Sequence, residues 1–408
     1  MTIQKNNSPL SGLVVLDLTH MLSGPYGTMT LSDLGARTIK VEPPGKGEGT
    51  RQLLADTPAY SRDGMGAYFL TLNRGKESVA LDLKSEEGLQ VFYDLVRHAD
   101  IVFDNFSAGV TQRLCINHET LSKINPRIIT CTVTGFGETG PDTQRPAFDQ
   151  VVQAMGGGMS ITGDGAGLPT RSGIPMGDLG GGIFGAMGVL AAVISRERTG
   201  KGQHVDVSML DVQISLLNYM ATMHLMSGEV PERIGNSHFV HVPYNVYPTK
   251  DGYVVVACIG DGFFARFLEM LPLAELQNPE YEKQPARLRD KEKIDAAIGA
   301  ALQRESTAYW LERLRSHRIP CGPVNNFAQA LSDPQVIARD MVKKVRLAGG
   351  DEIPTTGVPM KFSSTNAQYF TAPPRVGEDS QTVLRELLGY SDAKIGELAV
   401  SGALGVWA

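Results

Sequence analysis

Residues 13–41 read LVVLDLTHMLSGPYGTMTLSDLGARTIKV, and their pattern decides the fold class. Residues 13–17 (LVVLD) are a short apolar run of the kind that makes a buried strand. Residues 25–34 then put Pro25 in the first turn of a helix, where its missing N–H is no loss. Residues 38–41 return to strand. The alternation repeats: 78–83 as strand, 86–98 as amphipathic helix, 101–104 as strand, and 128–133 as strand after the Asn125-Pro126 break. Short strands alternating with helical runs predict an α/β fold, with a large Rossmann-like domain built on a parallel sheet. Such sheets take ligands at the carboxyl ends of their strands, near the point where strand order reverses.

Two long helical runs follow, 179–198 and 209–227, with a turn and strand at 199–207 (TGKGQHVDV) between them. Composition then shifts. Residues 246–258 read as a hairpin turning at Lys250-Asp251-Gly252, and polar helices follow at 283–304 and 306–317. The pattern predicts a large domain over 1–227, a smaller α+β domain over 228–325, and a segment 326–408 returning to the first.

The bulk numbers narrow the function classes. Across 408 residues, 42% hydrophobic and 20% charged content fit a soluble globular protein, and a net charge of −6 gives no footprint for nucleic acid. Cys115, Cys131, Cys258 and Cys321 are too scattered for a zinc site or a disulfide framework, which points to a reducing cytoplasm. MTIQKNNSPL at the start, with neither a basic nor an apolar leader region, is not expected to be a signal peptide. Residues 179–194 are apolar and glycine-rich, but shorter than the roughly 20 residues a membrane span needs. They read as a core helix, and no membrane partner is expected.

One carboxylate stands out. In residues 173–185 (GIPMGDLGGGIFG), Asp178 lies between a proline-bearing loop and that apolar run. It reads as the helix N-cap and, equally, as a carboxylate kept ionised by the helix end, a workable nucleophile towards an activated acyl group. The adjacent glycine amides are then candidates to stabilise an oxyanion. Residues 19–25 (THMLSGP) leave the first strand and open the first helix, where backbone amides meet anions, although GxGxxG is lacking. In 105–113 (NFSAGVTQR), Phe106 can stack an adenine and Arg113 meet a phosphate, or Arg113 is simply solvated. Residues 73–76 (NRGK) are either a phosphate contact or a polar turn. Gly135–Pro141 (GFGETGP) and residues 156–158 (GGG) suit close backbone approach to a ligand. Asp149, in RPAFD, reads as a helix cap. His238 and His241 lack the carboxylate or thiolate company of a metal site, so no metal is expected.

In this order the segments resemble the class III CoA-transferase family, also called the CaiB/BaiF family. The resemblance runs through residues 10–51, 68–113 and 135–185, TGKGQ at 199–203, and IPCGPVNN at 319–326. It implies a large Rossmann-like domain, a small domain, and two chains threaded as interlocked rings, a homodimer. It implies no tightly bound cofactor, with a coenzyme A thioester as substrate and a small carboxylic acid as acceptor. Asp178 occupies the position of the nucleophile that carries CoA as an aspartyl thioester. His20, Met21, Leu22, Leu72, Asn105, Phe106 and Arg113 match CoA-channel positions, with Lys76 and Arg145 for the phosphates or a carboxylate. Phe148, His238 and His241 fall to the acyl and acceptor groups.

Members that racemise 2-methylacyl-CoA carry a histidine where this chain has Phe148, which argues against racemisation, since two bases are then needed. Formyl-CoA transferases carry a glutamine at the position of Leu22 and a tetraglycine loop not found here, which argues against oxalate and formate. Residues 235–253 (GNSHFVHVPYNVYPTKDGY) look most like those of short-dicarboxylate transferases. Succinyl-CoA is the expected donor, with glutarate, itaconate, mesaconate and malate-type acids compatible as acceptors. The rival readings are a racemase-like isomerase and a CoA-binding protein without catalysis.

Overall fold

The computed structural model describes residues 7–365 and 371–407. Strands β1 (Val14–Asp17), β2 (Arg37–Glu42), β3 (Lys76–Leu81), β4 (Ile101–Asp104), β5 (Ile129–Thr134) and β6 (His204–Ser208) form one sheet. They are all parallel, in the order β3-β2-β1-β4-β5-β6. Leu404–Gly405 adds an antiparallel edge beside β3. The order is that of a doubly wound sheet, and it reverses between β1 and β4.

Alternation along the strands feeds two cores, because successive side chains leave opposite faces. Val15, Ile101 and Phe103 point to one layer, with α1 (Ser23–Asp33) and the long helix over Met176–Thr199. Leu16, Ile39 and Val102 point to the other. That layer holds α2 (Glu86–Val96) and two C-terminal helices, Ser380–Leu388 and Asp392–Val400. The C-terminal segment is stitched to β3: Ser78 N–H donates to Asp379 at 2.8 Å, and Gly377 N–H to Ser78 Oγ at 2.9 Å.

After α3 (Asp149–Met155), α4 (Met176–Thr199) carries Asp178. Its glycines are contact points. A Cβ on Gly181 would lie 2.6 Å from Ser23 Oγ, on Gly182 2.4 Å from the Ser23 carbonyl, and on Gly185 2.7 Å from Phe103. Hydrogen at these positions lets α4 lie against both α1 and the sheet. The helical run expected at 209–227 breaks into α5 (Met209–Leu216) and α6 (Tyr219–Ser227), with Asn218 between them at φ 51°. Asparagine tolerates that left-handed geometry. Likewise the run at 283–304 divides at Asp290 into Gln284–Arg289 and Lys291–Leu302.

Contacts divide the chain into two compact units: Met1–Gly158 with Ser172–Leu225 and Ile337–Ala408, and Met159–Arg171 with Met226–Val336. The second has its own three-stranded antiparallel sheet, Cys321–Pro323, Tyr253–Ala257 and Tyr244–Pro248. Its core gathers Tyr247, Val254, Phe264, Phe267, Ile298 and Trp310.

Candidate active site

Both strands at the reversal point end in a buried aspartate. Asp17 Oδ1 accepts the Thr19 N–H at 2.8 Å, and Asp104 Oδ1 the Phe106 N–H at 3.1 Å, so each chain turns as it leaves the sheet. Asn105 ties the two turns together. Its Oδ1 accepts the His20 N–H at 2.9 Å, and its Nδ2 donates to the His20 carbonyl at 2.7 Å. Met21 is held at φ 64°, a conformation that costs a side-chain-bearing residue about 1–2 kcal/mol. The His20 and Phe106 rings meet at 5.5 Å between centroids. Leu22, at the cap position of α1, has no side-chain acceptor to offer its first-turn amides. His20, Asn105 and Phe106 therefore meet, with Met21 and Leu22 in the same turn, at the reversal point where a doubly wound sheet forms its crevice. Arg113 is exposed in the four-residue helix that follows, near Gly109.

Asp178 does not cap α4. The cap position is Pro175, and Asp178 is the third helical residue. The capping group is Asp149, whose Oδ1 accepts the Gly177 N–H at 2.8 Å and the Asp178 N–H at 3.4 Å. Asp149 therefore caps a neighbouring helix instead of its own, where Phe148 holds the cap position without a side-chain bond. Gln153 secures it, donating to Asp149 Oδ2 at 2.7 Å and accepting the Ser172 N–H at 2.9 Å. A sequence pattern shows which residue precedes a helix, but not which carboxylate from elsewhere reaches its amides.

This arrangement alters the chemistry expected of Asp178. Burial, then the like charge of Asp149, push its carboxyl up to about 6, where a bare helix end would hold it low. At pH 7 it remains roughly nine-tenths ionised, a carboxylate of raised basicity. The glycine amides are not free for an oxyanion. Gly177 donates to Asp149, and Gly180–Gly182 lie inside the helix. Tyr68, which sequence reasoning passed over, has its phenol pushed up by burial and by the charges of Asp178, Asp149 and Glu48. Its one signal was a hydroxyl-bearing ring in the run AYFLTL at 67–72.

Two expected CoA contacts lie elsewhere. Lys76 is fully buried in β3 and donates to Asp17 Oδ2 at 2.8 Å, Thr28 Oγ1 at 2.9 Å and Asn73 Oδ1 at 2.9 Å. Burial lowers it to about 8. Burial raises Asp17, but Lys40 and Lys76 outweigh that and hold it at about 2. The pair is ionised at neutral pH and closed to a ligand phosphate. Leu72 is 3% exposed and packed in the core. Arg74, in the same turn, pairs with buried Asp33 at 2.7 Å. A cavity of about 740 Å³ lined by Val14, Arg37 and Glu77 opens at the amino ends of β1–β3, away from the crevice.

Arg145 is exposed, pairs with Asp142 at 3.2 Å and faces Phe136. Phe148 is 68% exposed beside the Asp149 cap. In each glycine cluster one member is crowded by protein: a Cβ on Gly135 would lie 2.5 Å from Ala147 Cβ, and on Gly156 2.4 Å from Gln213 Cβ, whereas Gly140 has nothing within 4 Å and Gly157 and Gly158 only contacts at 3.7 and 3.9 Å. In the second unit, His238 Nδ1 accepts the amides of Val240 and His241 at 3.0 and 3.1 Å. Burial, then His241, lower its pKa, so it offers a neutral Nε2–H. Among the described residues no group of three or more His, Cys, Asp or Glu is placed to hold a metal ion.

A family model described as CoA-transferase family III matches residues 10–380. The chain belongs to that family. As a family III CoA-transferase it is 42% identical to an acetyl-CoA:oxalate CoA-transferase of Acetobacter aceti, over 89% of this chain and 91% of that one. It is 34% identical to the succinyl-CoA:glutarate CoA-transferase of Homo sapiens, over 98% of this chain and 90% of that one. A crystal structure of a CAIB/BAIF family protein from Brucella suis superposes with a TM-score of 0.84 at 34% identity, covering 94% of this chain and all of that one. That Acetobacter aceti relative is named for oxalate, the acid that Leu22 was expected to disfavour in this chain.

Proposed function

We propose that this CoA-transferase moves CoA from an acyl-CoA donor, succinyl-CoA, to a small dicarboxylate through a covalent aspartyl-CoA thioester on Asp178. The observation that carries the reading is a half-buried, basic carboxylate in the first turn of α4, on a helix packed through Gly181 and Gly182 against the first turn of α1. An Asp178 oxygen attacks the donor carbonyl, the C–S bond breaks, and CoA leaves as the thiolate. The thiolate attacks the Asp178 carbonyl of this anhydride and releases the donor acid, leaving the aspartyl thioester. The acceptor carboxylate attacks that thioester, the thiolate leaves again, and it finally takes the acceptor acyl group as Asp178 departs. No net proton moves, so no partner base is needed. Anhydrides hydrolyse, so water must be kept out.

Exposed apolar side chains along Ile183, Met187 and Ile194 of α4, Ile214 and Leu216 of α5, and Leu225 support a second copy covering this face, the interlocked homodimer. A reducing cytoplasm is the compartment we propose, in keeping with free thiols at all four cysteines.

The test is donor alone. Incubation with succinyl-CoA and no acceptor is expected to leave CoA on the peptide containing Asp178, detected by mass spectrometry, and acceptors are then ranked across glutarate, mesaconate, itaconate, malate and oxalate. Normal transfer by Asp178→Ala overturns the mechanism, and a monodisperse monomer in light scattering overturns the dimer.

A further inference from the structure

We propose that Lys40 is a positioning residue for acyl-CoA, acting through the turn that carries His20. The inference rests on the reading above that this turn lines the acyl-CoA site.

Lys40 lies in β2 and is completely buried. Lysine is almost never fully buried unless it is paired with an opposite charge. Here the nearby carboxylate, Asp17, is bonded by Lys76, and the Lys40 ammonium donates to a neutral group, the Thr19 carbonyl, at 2.7 Å. A methionine would fill the same strand position without burying a charge, so packing alone does not account for the ammonium.

Two duties do: it helps hold Asp17 ionised, and it grips one peptide. The bond from Thr19 to His20 is one planar trans unit, in which the carbonyl and the N–H point in opposite directions. Lys40 draws the Thr19 carbonyl down into the sheet. The His20 N–H is thereby aimed the other way, onto Asn105 Oδ1 at 2.9 Å. One peptide plane is thus gripped at both ends, from β2 and from the end of β4. That grip orients His20 against Phe106 and leads the chain into the left-handed turn at Met21.

The charge has a second effect. Burial lowers the His20 pKa, Lys40 lowers it further, and Asp17 opposes them. Around the same floor stand Lys76, Glu42, Glu48 and Arg51, the last paired with Glu42 at 2.6 Å. His20 is therefore a neutral imidazole at neutral pH, a donor and an acceptor at once. Such a group suits the uncharged, amide-bearing arm of acyl-CoA rather than its phosphates.

The experiment compares Lys40→Met, Lys40→Gln and His20→Ala in steady-state kinetics with succinyl-CoA, with His20 titrated by NMR in every variant that retains it. His20→Ala and Lys40→Met are expected to raise KM for acyl-CoA about tenfold, with kcat within about twofold, as for one lost charge-assisted hydrogen bond. Lys40→Gln keeps a donor to Thr19 and is expected to hold KM near wild type while the His20 midpoint rises towards 6.5. An unchanged KM in Lys40→Met, with His20→Ala impaired, overturns the proposal and leaves the acyl-CoA reading standing. An unchanged KM in His20→Ala overturns that reading itself. If neither Lys40 variant folds, Lys40→Arg decides: its wider fork moves the Thr19 carbonyl, so a raised KM for acyl-CoA with kcat held supports the proposal, and an unchanged KM overturns it.

Discussion

Asp178→Asn is expected to abolish transfer and to make the protein more stable at neutral pH. Raising a carboxyl from 3.8 to about 6 corresponds to about 3 kcal/mol of penalty on the charged form in the native state. The positive end of α4 returns about 0.3–1 kcal/mol of this, and partial exposure screens more. A net gain of about 1–2 kcal/mol is left for the amide. The sign follows from linkage. Because the folded-state value lies above the unfolded one, the native state binds more protons between pH 3.8 and 6, and wild type loses stability as pH rises through that window. The advantage of Asp178→Asn is therefore absent below pH 3.8, about a third of its full size at pH 4.5, and complete above 6. Urea unfolding of both proteins at fixed protein concentration, at pH 4.5 and 7.5, measures it. A gain that does not change with pH, or an asparagine variant less stable than wild type at pH 7.5, refutes the reasoning.

Asp149 can be dissected by two substitutions. Asp149→Asn keeps an acceptor for the Gly177 amide but removes the like charge, so the acid limb of kcat/KM moves to lower pH with little change in Tm; Asp149→Ala loses the cap as well and costs about 0.5–2 kcal/mol. Gly181→Ala, whose Cβ would press on Ser23 and Val133, is expected to destabilise by about 1–3 kcal/mol. Gly396→Ala, in an uncrowded helical position, should stabilise by about 0.5–1 kcal/mol in the same thermal melts. Lys76→Met removes the cation bonded to buried Asp17, leaving Lys40 as the other nearby charge, and is expected to cost about 3–5 kcal/mol. In whatever protein folds, the salt dependence of acyl-CoA binding should match wild type, whereas a lysine bound to phosphate would weaken it.

The sequence by itself determined the α/β alternation, the strands that flank the crevice and the suspicion attached to Asp178. Each of these depends on local physics: apolar runs of strand length, a proline that opens a helix, a carboxylate beside a helix start. The residues of the two turns, His20 to Leu22 and Asn105 to Phe106, were legible for the same reason, since strand ends can be found without knowing strand order. Order itself came only from the folded sheet, and it is what brings those turns together through Asn105. Tertiary structure also decided three roles that residue type left open. Lys76 read as a phosphate contact or a polar turn, because a basic turn looks solvated until Asp17 arrives from another strand. The glycines after Asp178 read as amide donors, yet α1 needs their missing side chains. Asp178 itself read as a cap kept fully charged. Its helix is instead capped by Asp149, and burial, with the charge of Asp149 second, pushes its acidity towards neutrality. Proximity of two like charges in a half-buried pocket is a property of distance, and no linear spacing contains it.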